Sequence, residues 1–479
     1  MSGFNRQALL IYRVTAPIRR DCRPTSAYLL FSFALLLAAF GFTAEPAKAL
    51  STGNFPLVTL LCKYSDINDE PHDAFHVQRL YGDDTGGINH YWKQASYNRA
   101  SLDGTRVAGW YTLPKPRAAY FDPLSGEPDV NGLVRDCSAQ ADAEIDFSQF
   151  FGINVLTNGP WSGGGIGGVG GQLFRSLDGK DQFAYTIVGY PDWDNQGLLV
   201  HELGHGFGLL HSNNSDEDED FYDNPWSVMS DVNHQAIVHP EFGLLAKHFN
   251  AYEKDVLGWL DRNEVLEIDL SSLATGSSQR VSLTSLGRGA IGAGSFRMLK
   301  LVRGAGSEDF FFTLEAREQS GDYEAALAGS GVIIHEVDLR TRRSAWVVDE
   351  SDPPADRANA DSVIWEPGEI YRGEGFTVQV VSRTATGFDV AVRASNGAVA
   401  GNSVPTIQPV AARQNAAVGG LFQLYLLPTD LDGFNPDLLS PDLPIGSTLT
   451  DNGNGVWIFD WTPTSVSYTH LTLPTNREV

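Results

Sequence analysis

Eleven consecutive residues, His201-Glu202-Leu203-Gly204-His205-Gly206-Phe207-Gly208-Leu209-Leu210-His211, constrain this chain more than any other stretch. Helical periodicity puts residues four apart on one face, so His201 and His205 can each present a ring nitrogen about 2.0–2.1 Å from a single zinc ion. Glu202 stands beside them, off the metal. A carboxylate there can take a proton from a water acidified by the metal and hand it to a departing amine. Gly208 accounts for the third histidine, because glycine adopts positive φ without steric cost and lets the helix stop and the chain turn back to bring in His211. Three protein ligands leave the fourth position open, as in catalytic rather than structural zinc sites. Five fixed positions of this kind arise by chance in on the order of a few per 10⁵ chains of such length.

The pattern HExxHxxGxxH resembles the signature of the metzincin metallopeptidases, which also carry a methionine turn downstream. Trp226-Ser227-Val228-Met229-Ser230 supplies a matching segment, and the resemblance implies that Met229 forms a packing floor beneath the ligands. One departure stands out: several metzincin groups have a tyrosine two residues after the methionine, where this chain has Asp231. Outside the motif, Gly87 to Tyr97, Val107 to Pro114 and the run AYEKDVLGWL at Ala251 to Leu260 resemble secreted metallopeptidases of the gametolysin and immune inhibitor A type. Leu314 to Arg317 and Gly329 to His335 resemble the β domain that follows the catalytic unit there. The resemblance implies an α+β metzincin catalytic domain, a mixed twisted sheet plus a zinc-binding helix, followed by β-sandwich domains.

A chain of 479 residues, 42% hydrophobic, can build two or three packed domains. Its net charge of −25 argues against nucleic acid or an anionic membrane as partner. Residues 1–49 read as a signal peptide: Arg19, Arg20 and Arg23 precede an apolar run from Ala27 to Phe42, and Ala47-Lys48-Ala49 offers small residues for cleavage. Its removal would take away six Lys/Arg and two Asp/Glu and move the charge to −29. A secreted, extracellular protein is expected, cell-surface association remaining open, with no membrane span in the mature chain. Cys62 and Cys137 then remain, as one disulfide or as two buried thiols.

Residues 50–262 form the expected catalytic domain. Phe55 to Cys62, Phe151 to Leu156 and Phe183 to Gly189 read as strands; Ala74 to Tyr81, Leu133 to Phe147 and Phe242 to Leu260 have helical spacing. The glycine-rich stretch Trp161 to Gly171 lacks a phosphate-loop ending. In metzincins this interval holds an edge strand that pairs with substrate, so some part of Gly163 to Phe174 is expected to border the cleft. Asp216 to Asp220, with Asp223, form a loop that could bind calcium, a solvated acidic loop being the alternative. His72, His76, His90 and His335 read as non-ligands. Residues 263–396 turn β-rich, with strands at Phe296 to Val302, Phe310 to Leu314, Val332 to Val337 and Phe376 to Val381. Residues 397–466 resemble an incomplete bacterial Ig-like, cadherin-like module, and residues 467–479 resemble translated sequencing adapter, so the native chain is expected to continue differently.

The function expected is that of a secreted zinc endopeptidase: Glu202 as catalytic base, His201, His205 and His211 as metal ligands, and protein or peptide substrates. The rival is a non-catalytic surface or adhesion protein using a metzincin-like scaffold, against which Glu202 and the full histidine set speak. Ser212 after His211 resembles the matrix metallopeptidases, but no PRCGxPD latency motif precedes the domain.

Overall fold

The computed structural model describes residues 51–464, apart from 162–164, 168–173, 176–177, 179–180, 183–185, 215–221, 274–276, 305–308, 342–344, 350–358, 374, 395–405, 408–415, 427, 430–442 and 452–455. The signal segment, the acidic loop 216–220 and the tail 467–479 lie outside the described residues.

The architecture is mixed α+β. Its first sheet uses β1 (Leu57–Lys63), β2 (Arg106–Thr112), β3 (Gly152–Thr157), β4 (Gly165–Gly167) and β5 (Thr186–Gly189) in the order β2-β1-β3-β5-β4. All pairings are parallel except that of β4, which runs antiparallel to β5 at the sheet edge. A parallel sheet needs cover on both faces, and the near-continuous apolar run of β1 reflects this. Leu57 and Leu61 point to a core shared with α1 (Ala74–Leu80), α2 (Ile88–Ala95) and α4 (Gln196–Gly206), whereas Val58, Leu60 and Cys62 point to one shared with α3 (Val130–Ala141). A disulfide joins Cys62 to Cys137 across that second face, their Cα atoms 6.1 Å apart.

Two of the expected helices differ. The one placed at Leu133 to Phe147 starts earlier, because the Asp129 side chain caps the Gly132 amide, and it ends at Ala141. The long helix read at Phe242 to Leu260 shrinks to α5 (Ala251–Val256). Gly243 has φ of 69° and opens a short strand, Gly243–Leu245. The Phe242 carbonyl accepts the Gln196 amide at 3.1 Å, and the Ala246 amide donates to Gln196 Oε1 at 2.7 Å. Those groups serve the start of α4 instead of a helical ladder. Asn250 and Glu253 then form a reciprocal capping box that starts α5.

A second sheet takes its edge strand, β6 (Ser212–Asn213), from the segment after His211 and the rest from beyond residue 264: β7 (Val265–Asp269), β10 (Met298–Val302), β11 (Phe310–Arg317), β12 (Gly331–Asp338) and β13 (Ala345–Val347), with β8 (Ser278–Thr284) and β9 (Ser295–Phe296) preceding β10 in the chain. Its order is β6-β13-β12-β11-β10-β7. A third sheet, β9-β8-β16-β15-β14, adds β14 (Ile370–Gly373), β15 (Phe376–Arg383) and β16 (Gly387–Ala394). The single strand expected at Phe296 to Val302 is divided between these sheets at Arg297, whose guanidinium bonds to Glu264 and to the carbonyls of Arg288 and Gly289. Both sheets enclose one apolar cluster that includes Leu283, Phe312, Leu314, Ile334 and Val390. Alternation along β11 and β12 sends the opposite side chains, among them Glu315, Arg317, Ile333 and His335, away from that cluster. In the stretch resembling an Ig-like module, Phe422–Leu426, Ser447–Asp451 and Trp457–Trp461 form a three-stranded antiparallel sheet. Among the described residues no helix is long and apolar enough to cross a membrane.

Candidate metal centre

The site is assembled on α4. Asn195 caps its start by accepting the Leu198 amide at 3.2 Å, and the Trp193 indole anchors the preceding turn to the Thr157 carbonyl at 2.9 Å. From Leu199 to Gly206 every residue of α4 is buried, so each side of the helix is constrained by a neighbour. The turn after Phe207 passes through Gly208 at φ of 92°, and His211 comes back towards the helix.

His201, His205 and His211 meet. Their candidate ligand atoms all lie within 4.8 Å of one another, with His205 Nε2 3.0 Å from His201 Nε2 and 3.1 Å from His211 Nε2. The far nitrogens are already engaged: His201 Nδ1–H donates to the Val228 carbonyl at 2.7 Å, and His205 Nδ1–H to the Leu209 carbonyl at 2.9 Å. Those bonds select the tautomer that leaves Nε2 as a bare lone pair facing the centre. Burial, then the neighbouring His205 and His211, hold the His201 imidazole well below its usual range, and burial lowers that of His205. Neutral rings with converging lone pairs repel one another unless they share a proton or a cation, and a cluster of this geometry could hold a metal ion.

Glu202 sits on the same helix, 5% exposed, and burial pushes its carboxyl up to about 8 against the opposing effect of a hydrogen bond from the Gly167 amide. Strand β4 therefore rests directly on the acid. The glycines of β4 make this possible: a Cβ on Gly165 would strike the Glu202 side chain, and one on Gly167 would overlap the Glu202 carbonyl and His205. Those residues fall within the interval expected to border the cleft; residues 168–173 lie outside the described residues. Met229 is fully buried, and a Cβ on Gly204 would overlap its sulfur, so the methionine packs against the helix at the residue before His205.

A cavity of about 430 Å³ opens beside His201 and Glu202, lined also by Asp192, Asp194, Leu198, Tyr222 and Asp231. The Tyr222 ring lies 5.0 Å from that of His211 and 5.9 Å from that of His201. Nothing in the local sequence around Tyr222 marked it, because its ring meets those of His201 and His211 only in the folded chain. Asp231 does not face the ligands as a tyrosine equivalent; it turns back to accept from the Asn233 amide, with Lys247 3.9 Å away. The other histidines stand apart. His72 pairs with Asp194 at 2.9 Å and stacks on His76, His90 bonds to the Tyr323 hydroxyl, and His335 is buried against Asn224. Asp223, the described part of the acidic segment, accepts the Asn214 amide at 2.8 Å.

No protein-family model matches this chain, and no curated protein does. Among solved structures it is similar to wild-type OgpA from Akkermansia muciniphila at 11% identity, covering 69% of this chain and 89% of that one with a TM-score of 0.28, an overlap too slight to decide fold or activity.

Proposed function

We propose that the chain is a zinc-dependent endopeptidase of the metzincin type, acting on proteins or peptides outside the cell. The observation that carries this reading is the convergence of three imidazole Nε2 atoms, two at 3.0 and 3.1 Å from the third, beside a buried carboxylate on the same helix. Tetrahedral ligands at about 2.05 Å from zinc stand about 3.3 Å apart, so a small closing-out of the rings accommodates the ion with one position open. When bound, zinc supplies a Lewis acid that acidifies a water molecule and polarises the scissile carbonyl.

The chain's own residues supply the rest. Burial alone raises the Glu202 carboxyl to about 8, and a cation held by the three histidines would favour its charged form; as a carboxylate it takes the water proton and delivers it to the leaving nitrogen. The outer edge of β4, which ends its sheet among the described residues, offers backbone groups to an extended peptide, and the adjoining cavity takes one side chain. A catalytically silent adhesion scaffold would have no need of Glu202 in this setting.

The deciding experiment is metal analysis of the purified protein together with a protein-library digest. Near-stoichiometric zinc, with cleavage abolished by a chelator and restored by zinc, is the expected result. No zinc-dependent cleavage of any substrate would favour the adhesion reading, and absence of zinc would end the endopeptidase reading.

A further inference from the structure

The turn beneath the metal ligands is held from outside the domain that the sequence motif defines. Arg317, on β11 and fully buried, donates from Nη1 to the Trp226 carbonyl at 2.7 Å. It is fixed in place by Glu315, 3.0 Å from Nη1, and by Glu324 at Nη2. Two residues beyond Trp226, the Val228 carbonyl receives Nδ1–H of His201. Lys247 closes the same turn by donating to the carbonyls of Pro225 and Asp231 at 3.0 and 2.7 Å. The Trp226 ring packs on Ile333 and Val347 of the second sheet and on Leu327 and Val363 from the segments flanking it. Strand β6, which begins at the residue after His211, pairs in parallel with β13 of that sheet through Ser212 and Ala345. Two of the three ligands thus have their backbone supports tied to the second sheet.

We propose that the second sheet is a working part of the metal centre, with Arg317 a positioning residue that sets the orientation of His201 through the turn Trp226–Val228. This rests on the zinc reading of the three histidines. A carbonyl that fixes a ligand's far nitrogen governs both ring direction and basicity, so loosening it weakens the metal bond even though no ligand is changed. Arg317 suits the task because its planar fork can bind two carboxylates and a carbonyl at once, which a lysine cannot.

The test uses the full chain carrying Arg317→Lys, with zinc affinity read by competition against a chromophoric chelator and ligand geometry read from the visible spectrum of the cobalt(II) form. Zinc affinity is expected to fall about 10- to 100-fold, the range seen when such outer supports of a metal ligand are lost, with a shifted cobalt spectrum. Arg297→Lys serves as control, since Arg297 is equally buried and pairs with Glu264 but does not touch the turn. It should leave both readouts at wild-type values. If Arg317→Lys does not fold, Glu324→Gln, which removes one of the carboxylates holding Arg317, carries the same comparison, and its zinc affinity should fall in the same direction. Unchanged zinc affinity and spectrum in these variants, or an equal loss in Arg297→Lys, overturns the proposal while leaving the zinc reading intact. A wild type that binds no zinc overturns both.

Discussion

Gly165 lies so close to Glu202 that a Cβ on the glycine would strike the carboxyl group, so the edge strand of the first sheet and the helix bearing the histidines meet at the acid next to His201. This contact requires two glycines in β4, and it leaves Glu202 dry and oriented.

Glu202→Gln keeps the size of the side chain and its hydrogen bond but removes the base. Peptide cleavage should fall about 10²- to 10⁴-fold in kcat, the usual contribution of a positioned base. Zinc content, measured on the same preparation, should stay at the wild-type level.

Gly204→Ala pushes a methyl group into the Met229 sulfur. Overpacking of this kind costs about 1–3 kcal/mol of stability. In a Met229→Ala background the same substitution should cost much less, and denaturant unfolding of the four proteins in the cycle would show that coupling.

The cavity beside Glu202 is lined by Asp192, Asp194 and Asp231 and, among the described residues, by no lysine or arginine. Asp194 faces His72 and Asp231 faces Lys247, whereas burial alone acts on Asp192 and raises its carboxyl above the usual range. Substrates placing a lysine or arginine there should be cleaved preferentially. Asp192→Asn should reduce that preference about 2- to 5-fold, in keeping with a partly exposed charge pair worth up to about 1 kcal/mol. Parallel kcat/KM values for basic and neutral peptides would measure it.

His335 is buried beside Arg317, and burial, then that guanidinium, bring its imidazole down to about 3. The unfolded chain takes up this proton near pH 6.5, the folded chain only near the lower value, so its share of stability is fully present above about pH 6.5 and is lost as pH falls through the window. Wild type should lose about 2 kcal/mol more than His335→Gln between pH 7 and pH 5. Chemical denaturation at the two pH values tests this.

The Cys62–Cys137 disulfide closes a loop with a sequence separation of 75 residues between β1 and α3. Replacing both cysteines by serine should cost about 2–5 kcal/mol, chiefly through the freedom restored to the unfolded chain. Thermal unfolding of oxidised protein and double variant would show the difference.

The convergence of the three histidines was legible because its geometry is local. His201 and His205 share a helix face by period alone, Gly208 supplies the one backbone conformation that turns the chain, and His211 follows within three residues. The strands of the first sheet were legible for a similar reason, since a parallel sheet covered on both faces leaves continuous apolar runs such as Leu57 to Cys62. Apolar spacing alone misled at Phe242 to Leu260. A buried irregular segment that lends its backbone to Gln196 has the same composition as a helix, and Gly243 and Asn250 mark where the helix cannot run.

By itself the sequence determined which three histidines come together and where the helix that carries the first two stops, because turning and face-sharing act over a few residues. Only the tertiary structure decided what holds that cluster in place: β4 on Glu202, Met229 under Gly204, and Arg317, 91 residues along the chain, on the carbonyl of Trp226. Such partners are chosen by strand order and by which side of a sheet faces inward. No local pattern in the chain encodes that choice, since it is made by burying the whole of each face at once.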